Sequence, residues 1–337
     1  VKVLITGGAG FIGSTIASAC QDTGITPVIL DNLATGRREF TTDRAFYQGD
    51  VADGDLIDRI FDEHPDITAV IHCASLIVVP ESMADPLRYY SENVAKGVQF
   101  FRHLNRNGCT RLLFSSSAAI FEADGTNLTV DETSALAPGS PYAKTKSMLE
   151  TIVEDIATAG QLRVLSLRYF NPVGADPQLR TGLQIFRPTH ALGGIIEAHH
   201  SGEPFKITGT DFPTADGTGI RDYVHVWDIA QAHVAALKRF DEVLANEGAD
   251  STVIILGSGH GTTVRELVSV FEKVTGTSLK TVEVPRRPGD PAGAYSNSTK
   301  AKRLLDWTPK LSLEEAVRDS LSWHSKRNDI LGAPAQP

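Results

Sequence analysis

The sequence predicts an α/β fold: a doubly wound parallel sheet with a smaller C-terminal domain interleaved with it. Three observations carry this prediction. Apolar runs of strand length alternate with amphipathic segments of helix length up to about residue 171. The first run leads directly into Gly7-Gly8-Ala9-Gly10-Phe11-Ile12-Gly13, then into a helix and a second strand that ends in an acid, Asp31. Beyond residue 171 the alternation gives way to a Pro- and Gly-rich stretch over 172–219.

In chain order, 1–6 reads as a buried strand, 15–24 as a helix and 27–31 as a second strand. In this setting Gly8-x-Gly10-x-x-Gly13 is the dinucleotide fingerprint of a Rossmann-type unit. Its glycines let backbone approach a pyrophosphate, and the helix N-terminus faces the negative charge. Asp31 falls 18 residues after Gly13, where a carboxylate bonds a ribose 2′-hydroxyl. The same acid disfavours a 2′-phosphate, so NAD is expected over NADP; Arg37 and Arg38 keep NADP open.

The next strand, 45–48, ends before Asp50, which either reaches an adenine or caps the following helix. The run 69–74 is a buried strand whose small final residues leave room for a ligand, and His72 within it reads as a core histidine. A helix is expected from Asn93, with Val94, Val98, Phe101 and Leu104 on one face. Strands follow at 111–117, ending in three hydroxyls, and at 163–170, ending at Asn171. Between them, Pro138, Gly139 and Pro141 break the chain before a helix that carries Tyr142 and Lys146. Later elements are helices at 226–240, 264–275 and 313–325 and a strand at 253–256. The expected division is a dinucleotide-binding domain over 1–171, to which 219–248 return, a substrate domain over 172–218 and 249–330, and a disordered tail over 331–337.

The chain has 337 residues, 41% hydrophobic and 22% charged, which suits a soluble globule with a large core. A net charge of −9 argues against nucleic acid or an anionic membrane as the main partner. Cys20, Cys73 and Cys109 are scattered, with no disulfide framework and no metal-binding spacing. A reducing cytoplasm is expected, with no metal. The first apolar run is too short for a signal peptide, and no later run suits a bilayer.

Ligand-facing residues gather at strand ends: the glycine turn, Asp31, Ser117 and Asn171. Tyr142 follows Ser117 by 25 residues, and Lys146 lies one helical turn beyond Tyr142. Ionising a tyrosine near neutral pH needs about 4 kcal/mol. An ammonium at ~5 Å supplies about 3 kcal/mol at an effective dielectric near 20, and a helix N-terminus up to ~1 kcal/mol. The spacing therefore predicts that this pair comes close to making a phenolate base unaided.

The order and spacing of Ser117, Tyr142 and Lys146 resemble the triad of the short-chain dehydrogenase/reductases. Nearly end to end, the chain resembles the UDP-glucose (UDP-galactose) 4-epimerase family of the extended branch. The narrower matches are Asp31-Asn32-Leu33, Ser115-Ser116-Ser117-Ala118, the run from Arg168 to Ala175, the run from Asp216 to Tyr223, and Arg286-Arg287-Pro288-Gly289-Asp290. The resemblance implies NAD-dependent epimerisation at carbon 4 of a UDP-hexose through a 4-keto sugar. In it Tyr142 is the base, Ser117 orients the hydroxyl, and Lys146 bonds the nicotinamide ribose.

It further implies NAD contacts at Gly7, Gly10, Phe11, Ile12 and Gly13, and at Asn32, Leu33, Thr35 and Gly36 beside Asp31. Others fall at Asp50, Val51, Cys73, Ala74, Ser75, Asn93, Ser115 and Phe170. UDP is expected on Asn171, Arg221, Arg287 and Asp290, with Thr189 and His190 along the uracil. Ala294 is expected beside the sugar's carbon-2 substituent, where a small residue admits N-acetylhexosamines; an offset of one would put Tyr295 there. A homodimer is implied, with the Val94–Leu104 stripe and the Tyr142 helix at its seam or, alternatively, the stripe on its own sheet.

The sequence departs from the family at Ile77, where many members have Lys, at Phe121, usually Tyr, at Gly193-Gly194, and through 176–189. Dehydratases and decarboxylases of the same fold need an acid after the strand serine, and Ala118-Ala119-Ile120 provides none. A non-catalytic NAD sensor would need no base, so the intact triad disfavours it.

Overall fold

The computed structural model describes residues 1–121, 128–286 and 291–332. The strands in chain order are β1 (Lys2–Thr6), β2 (Thr26–Asp31), β3 (Ala45–Gln48), β4 (Ile67–His72), β5 (Arg111–Ser117), β6 (Thr129–Val130), β7 (Arg163–Tyr169), β8 (Asn171–Val173), β9 (Phe205–Thr208), β10 (Ile220–Arg221), β11 (Tyr223–His225), β12 (Ser251–Leu256), β13 (Thr262–Thr263), β14 (Thr281–Val284) and β15 (Gly293–Ser296). The helices are α1 (Phe11–Asp22), α2 (Gly54–Glu63), α3 (Val79–Ala84), α4 (Pro86–Tyr89), α5 (Lys96–Arg106), α6 (Pro141–Thr158), α7 (Ala191–Ser201), α8 (Val226–Lys238), α9 (Phe240–Glu247), α10 (Val264–Thr275), α11 (Thr299–Leu305) and α12 (Leu313–Leu331).

Seven parallel strands form the main sheet in the order β12-β7-β5-β4-β1-β2-β3. Its strands are near-continuous apolar runs because both faces are covered. On one face Val3, Ile5 and Ile29 pack with Ile16, Ala17 and Cys20 of α1 and with Ile229 and Ala232 of α8. On the other, Leu4, Val28 and Val70 pack with Ile57 and Ile60 of α2, Phe100 and Leu104 of α5, and Leu149 and Val153 of α6. This is the doubly wound architecture that the sequence predicts. Strand order reverses between β1 and β4, which opens a crevice at their carboxyl ends. A third core, with Leu192, Ile195, Phe271 and Val317 from α7, α10 and α12, lies outside the sheet.

The structure corrects several boundaries. Helix α1 begins at Phe11, not at residue 15, because Gly10 is its N-cap and the Ser14 amide already donates to the Gly10 carbonyl at 3.0 Å. The glycine fingerprint therefore includes the first helical turn. Strand β12 pairs in register with β7, from Ser251↔Val164 to Leu256↔Tyr169. Residues 251–256 thus belong to the main sheet, whereas the sequence reading assigned them to the substrate domain. The helix expected from Asn93 starts earlier: α4, a π-helical segment Tyr90–Ala95 and α5 run on from Pro86.

The Val94–Leu104 stripe divides between the core and the surface, with Val94 and Val98 half-buried. Phe101 and Leu104 are buried in the sheet-side core, and Val94 packs against it. Helix α2 is capped by Asp53, whose carboxylate accepts from the Leu56 amide at 3.0 Å, so Asp50 is not the cap. The divergent segment 176–189 ties distant parts together. The Thr181 and Thr15 hydroxyls are 3.3 Å apart, Gln184 Nε2 donates to the Thr35 carbonyl at 3.1 Å, and Trp323 Nε1 of α12 donates to the Leu183 carbonyl at 2.8 Å.

Candidate active site

The crevice begins where β1 turns into α1. Gly7 sits at φ +68°, where a side chain is strained, and a Cβ on it would fall 2.7 Å from the Ala74 amide nitrogen across the crevice. A Cβ on Gly13 would fall 2.3 Å from the Gly7 carbonyl oxygen. Only glycine lets the turn fold this closely onto the helix. The first turn of α1 holds no acid, so its free amides and the positive end of its dipole are open to an anion.

Asp31 ends β2, 8% exposed, with one oxygen accepting from the Ala9 amide at 3.0 Å and the other from the Leu33 amide at 2.8 Å. Burial raises its pKa, and those two amides hold it down. The loop from Asn32 to Gly36 folds against this carboxylate. Leu33 takes φ +59°, and a Cβ on Gly36 would come 2.7 Å from Asp31 Oδ1. A glycine-rich turn, an acid-free helix start and a fixed carboxylate at the next strand end fit a dinucleotide. Gly7, Gly10, Phe11, Ile12 and Gly13 would hold its diphosphate, and Asp31 its ribose.

Other residues expected at the cofactor divide into two groups. Cys73, Ala74 and Ser75 follow β4 at the crevice, and the Cys73 thiol lies 3.1 Å from the Ser115 hydroxyl. Asp50 is held by Lys96 at 2.7 Å and accepts from the Ala52 amide at 2.9 Å, with Val51 beside it. Asn93 spends its amide group on the protein. Its oxygen accepts from the Leu76 amide at 2.8 Å, and its nitrogen donates to the Leu76 carbonyl and to Thr145 Oγ1, both at 3.0 Å. It pins the loop after β4. Ile77 in that loop is 55% exposed and supplies no cation.

The Tyr142 helix starts sharply. Ser140 caps α6 by accepting from the Ala143 amide at 3.2 Å, and Pro141 takes the first position. Tyr142 is thereby fixed in the first turn, beside Ser117 at the end of β5, whose hydroxyl acts to lower the phenol's pKa. Lys146, one turn on and 3% exposed, donates from Nζ to the Ser115 carbonyl at 2.8 Å and lies 5.2 Å from the Phe114 ring. The structure thus brings Ser117, Tyr142 and Lys146 together at the crevice.

It does not bear out the phenolate arithmetic. Burial raises the Tyr142 pKa, with the Ser117 hydrogen bond as the opposing influence. Burial also pushes Lys146 down to about 8. The sequence places the ammonium near the phenol but carries no sign that desolvation outweighs it.

On the substrate side, β8 pairs with β11 and places Asn171 opposite Tyr223. Arg221 on β10 donates from Nη1 to the Ile220 carbonyl at 2.7 Å and the Ala292 carbonyl at 3.0 Å, and among the described residues it has no carboxylate partner. Ala294 on β15 sits opposite Arg221 and packs toward the core that holds Phe121 and Phe170. Tyr295 turns to the opposite face, where a Cβ on Gly261 would lie 2.5 Å from its ring.

His190 caps α7, its Nδ1 accepting from the Gly193 amide at 3.1 Å, and desolvation lowers its pKa to about 4. Thr189 beside it is exposed. Arg287 and Asp290 lie outside the described residues. Sequence reasoning missed Asp222, which is fully buried. Its Oδ1 accepts from the Ser258 amide and hydroxyl at 2.7 and 2.6 Å. Its Oδ2 accepts from the Gly259 amide at 3.2 Å and the Ser296 amide and hydroxyl at 3.0 and 2.6 Å. One carboxylate thereby ties Arg221 and Tyr223 to the end of β15.

Known proteins agree with this arrangement. The profile of the NAD dependent epimerase/dehydratase family matches residues 3–257. A UDP-glucose 4-epimerase from Azospirillum brasilense is 38% identical over 339 residues, covering 100% of this chain and 95% of its own. Among solved structures, UDP-glucose-4-epimerase from Stenotrophomonas maltophila, with bound NAD and formylated UDP-arabinopyranose, is 34% identical with a TM-score of 0.90 over 97% of this chain and 99% of that one. The UDP-Glc/GlcNAc 4-epimerase from Campylobacter jejuni is also 34% identical, with a TM-score of 0.80 over 96% and 99%. With the glycine cradle, Asp31 and the Ser117–Tyr142–Lys146 cluster at the carboxyl end of one sheet, the chain belongs to the NAD-dependent epimerase/dehydratase family.

Proposed function

We propose that this protein is an NAD-dependent UDP-hexose 4-epimerase. One observation carries the reading: Tyr142, beside Ser117 with Lys146 buried one turn beyond it, stands at the same carboxyl end of the sheet as the glycine cradle. When bound there, NAD supplies a hydride acceptor for carbon 4 of the sugar and a donor for the return. The chain's own residues handle the proton. Ser117 orients the 4-hydroxyl, Tyr142 takes its proton to leave a 4-keto sugar, and Tyr142 gives the proton back to the opposite epimer. Lys146 holds a positive charge beneath this exchange. Arg221, fixed by two carbonyls, is the cation for the UDP diphosphate, with Asn171 beside it; Arg287 and Asp290 complete the set proposed from the family resemblance.

The absence of an acid in Ala118-Ala119-Ile120 favours epimerisation over dehydration or decarboxylation. Ala294, on the face toward Phe121 and Phe170, supports acceptance of N-acetylhexosamines as well as hexoses. A homodimer is supported by exposed apolar side chains on α3, α4 and α6: Met83 at 62%, Leu87 at 77% and Met148 at 45%. No described helix is long and apolar enough to cross a membrane. The three free cysteines support a reducing cytoplasm.

Turnover of UDP-galactose to UDP-glucose tests the reaction, with UDP-glucuronate and the N-acetyl sugars alongside. No turnover by NAD-loaded protein on any of them rejects the reading. Light scattering that returns the 36.3 kDa of a single chain at micromolar concentration rejects the dimer.

A further inference from the structure

The inward face of α6 carries a charge pair that the proton exchange above leaves unused. Glu150 lies one turn beyond Lys146, and the helix buries both. Arg168 reaches it from β7, the strand beside β5, at the register position of Ser116. Arg168 Nε donates to the two Glu150 oxygens at 2.9 and 3.2 Å, and Nη2 donates to Oε2 at 2.6 Å. The side chains are 6% and 9% exposed. The guanidinium also lies 5.1 Å from the Phe121 ring, which stacks on Phe170.

A buried ion pair is a poor source of stability, because desolvation cancels most of its attraction. Its position suggests another use. The groups facing Lys146 come from three directions. From β5 come the Ser115 carbonyl and the Phe114 ring. From the end of β4 comes His72, lowered to about 3 by burial, and from just beyond it Cys73, raised to about 11, so both are neutral near pH 7. From α6 itself come Tyr142 and Glu150, with Arg168 behind Glu150. Among the described residues, Glu150 is then the anion that acts on the ammonium.

We propose that Glu150 and Arg168 are positioning residues for the Tyr142–Lys146 pair. Glu150 supplies the counter-charge that keeps Lys146 an ammonium on the Ser115 carbonyl. Arg168 fixes that carboxylate with a two-pronged grip and limits how much of its charge reaches Lys146 and Tyr142. The proposal rests on the epimerase reading.

The signs are distinctive. Glu150→Gln leaves the Arg168 cation uncompensated beside Lys146. Lys146 then deprotonates at lower pH, Tyr142 ionises at lower pH, and the pH profile moves down. Arg168→Met leaves the Glu150 anion uncompensated, and the profile moves up. A purely structural pair would lower activity and Tm in both variants without moving the profile in opposite directions.

The experiment measures kcat and KM for UDP-galactose against pH in NAD-loaded protein. It also follows the Tyr142 phenolate by ultraviolet difference titration against Tyr142→Phe, which needs no turnover. Opposite shifts of at least about half a pH unit are expected, with kcat down ~10-fold near neutrality and KM within ~2-fold. Shifts that are absent or in the same direction overturn the proposal. If either single variant does not fold, the charge-neutral Glu150→Gln/Arg168→Met protein decides. It is expected to fold and to lose ~10-fold in kcat; a folded double variant with unchanged kcat and profile overturns the proposal. An inactive parent protein rejects the epimerase reading instead, while the phenolate titration still tests the charge pair.

Discussion

Replacing Asp222 with Asn changes one oxygen to an amide nitrogen in a site built only of donors. The nitrogen fits best at the Oδ1 position, where the Ser258 hydroxyl can turn and accept. The Ser258 amide, now 2.7 Å from the carboxylate, would then face another donor. An unpaired buried amide costs ~1–3 kcal/mol. The three bonds at Oδ2, from Gly259 and Ser296, fall from charge-assisted to neutral strength at about 1 kcal/mol each. Relief from burying a charge returns part of this, which leaves a loss of about 3 kcal/mol. At roughly 2 cal/mol/K of unfolding entropy per residue, a chain of this length loses about 0.7 kcal/mol per degree, so Tm should fall by about 4 °C. KM for UDP-galactose should rise ~10-fold, about 1.4 kcal/mol of binding, because the Asp222 carbonyl also accepts from the Asn171 amide at 3.0 Å and Arg221 precedes it. Differential scanning calorimetry and initial-rate kinetics read both effects. A Tm within a degree of the parent and an unchanged KM would refute the claim that this carboxylate organises the substrate side.

Tyr142→Phe should fold, retain NAD and lose at least ~100-fold in turnover; near-normal rates exclude it as the base. Asp31→Ala should relax the preference for NAD over NADP, seen in cofactor binding by each variant; unchanged discrimination means another group selects. Ala294→Tyr should suppress N-acetylhexosamine epimerisation by ~5- to 200-fold while sparing hexoses, since overpacking costs ~1–3 kcal/mol, and equal loss on both sugar classes counts against the assignment. His233 is fully buried and its pKa is lowered to about 4 by desolvation, below the ordinary 6.5. The folded state therefore binds fewer protons, and His233 contributes stability above about pH 6.5 that is lost as pH falls toward 4. His233→Leu should flatten the acid side of the Tm-against-pH curve by up to ~1.4 kcal/mol per pH unit; an unaltered slope would show that His233 does not govern it.

What was legible depended on how local the cause is. The strands from β1 to β5 could be read because buried parallel strands are apolar on both faces and end in turn residues. The cofactor cradle could be read because its glycines answer to backbone geometry within seven residues. The start of α1 was misread since Gly10 serves both as turn and as helix cap. Asp222 lies in the family-like run from Asp216 to Tyr223, but its role left no pattern: its partners at Ser258 and Ser296 are remote in sequence, and a single acid after an arginine looks like surface charge. Glu150 stands at helical spacing from Lys146, but Arg168 becomes its partner only through the order of strands in the sheet. The Tyr142 base was half legible, in that spacing reports neighbours and not the loss of water around them.

The attachment of β12 to β7 bears on how the molecule can be made. As a chain emerges, six strands of the main sheet are complete by Tyr169, yet β7 remains an open edge until Ser251–Leu256 arrive. Until then β7 offers unpaired amides and carbonyls along a strand whose centre, Val164, Leu165 and Leu167, is apolar. A fragment cut at residue 171 would keep the glycine cradle and Asp31 but leave the apolar β7 as the sheet's border in place of β12. It would be prone to edge-to-edge association. The cofactor-binding half of the sequence is thus not a separable module in folding, since its final strand is synthesised after β8 to β11.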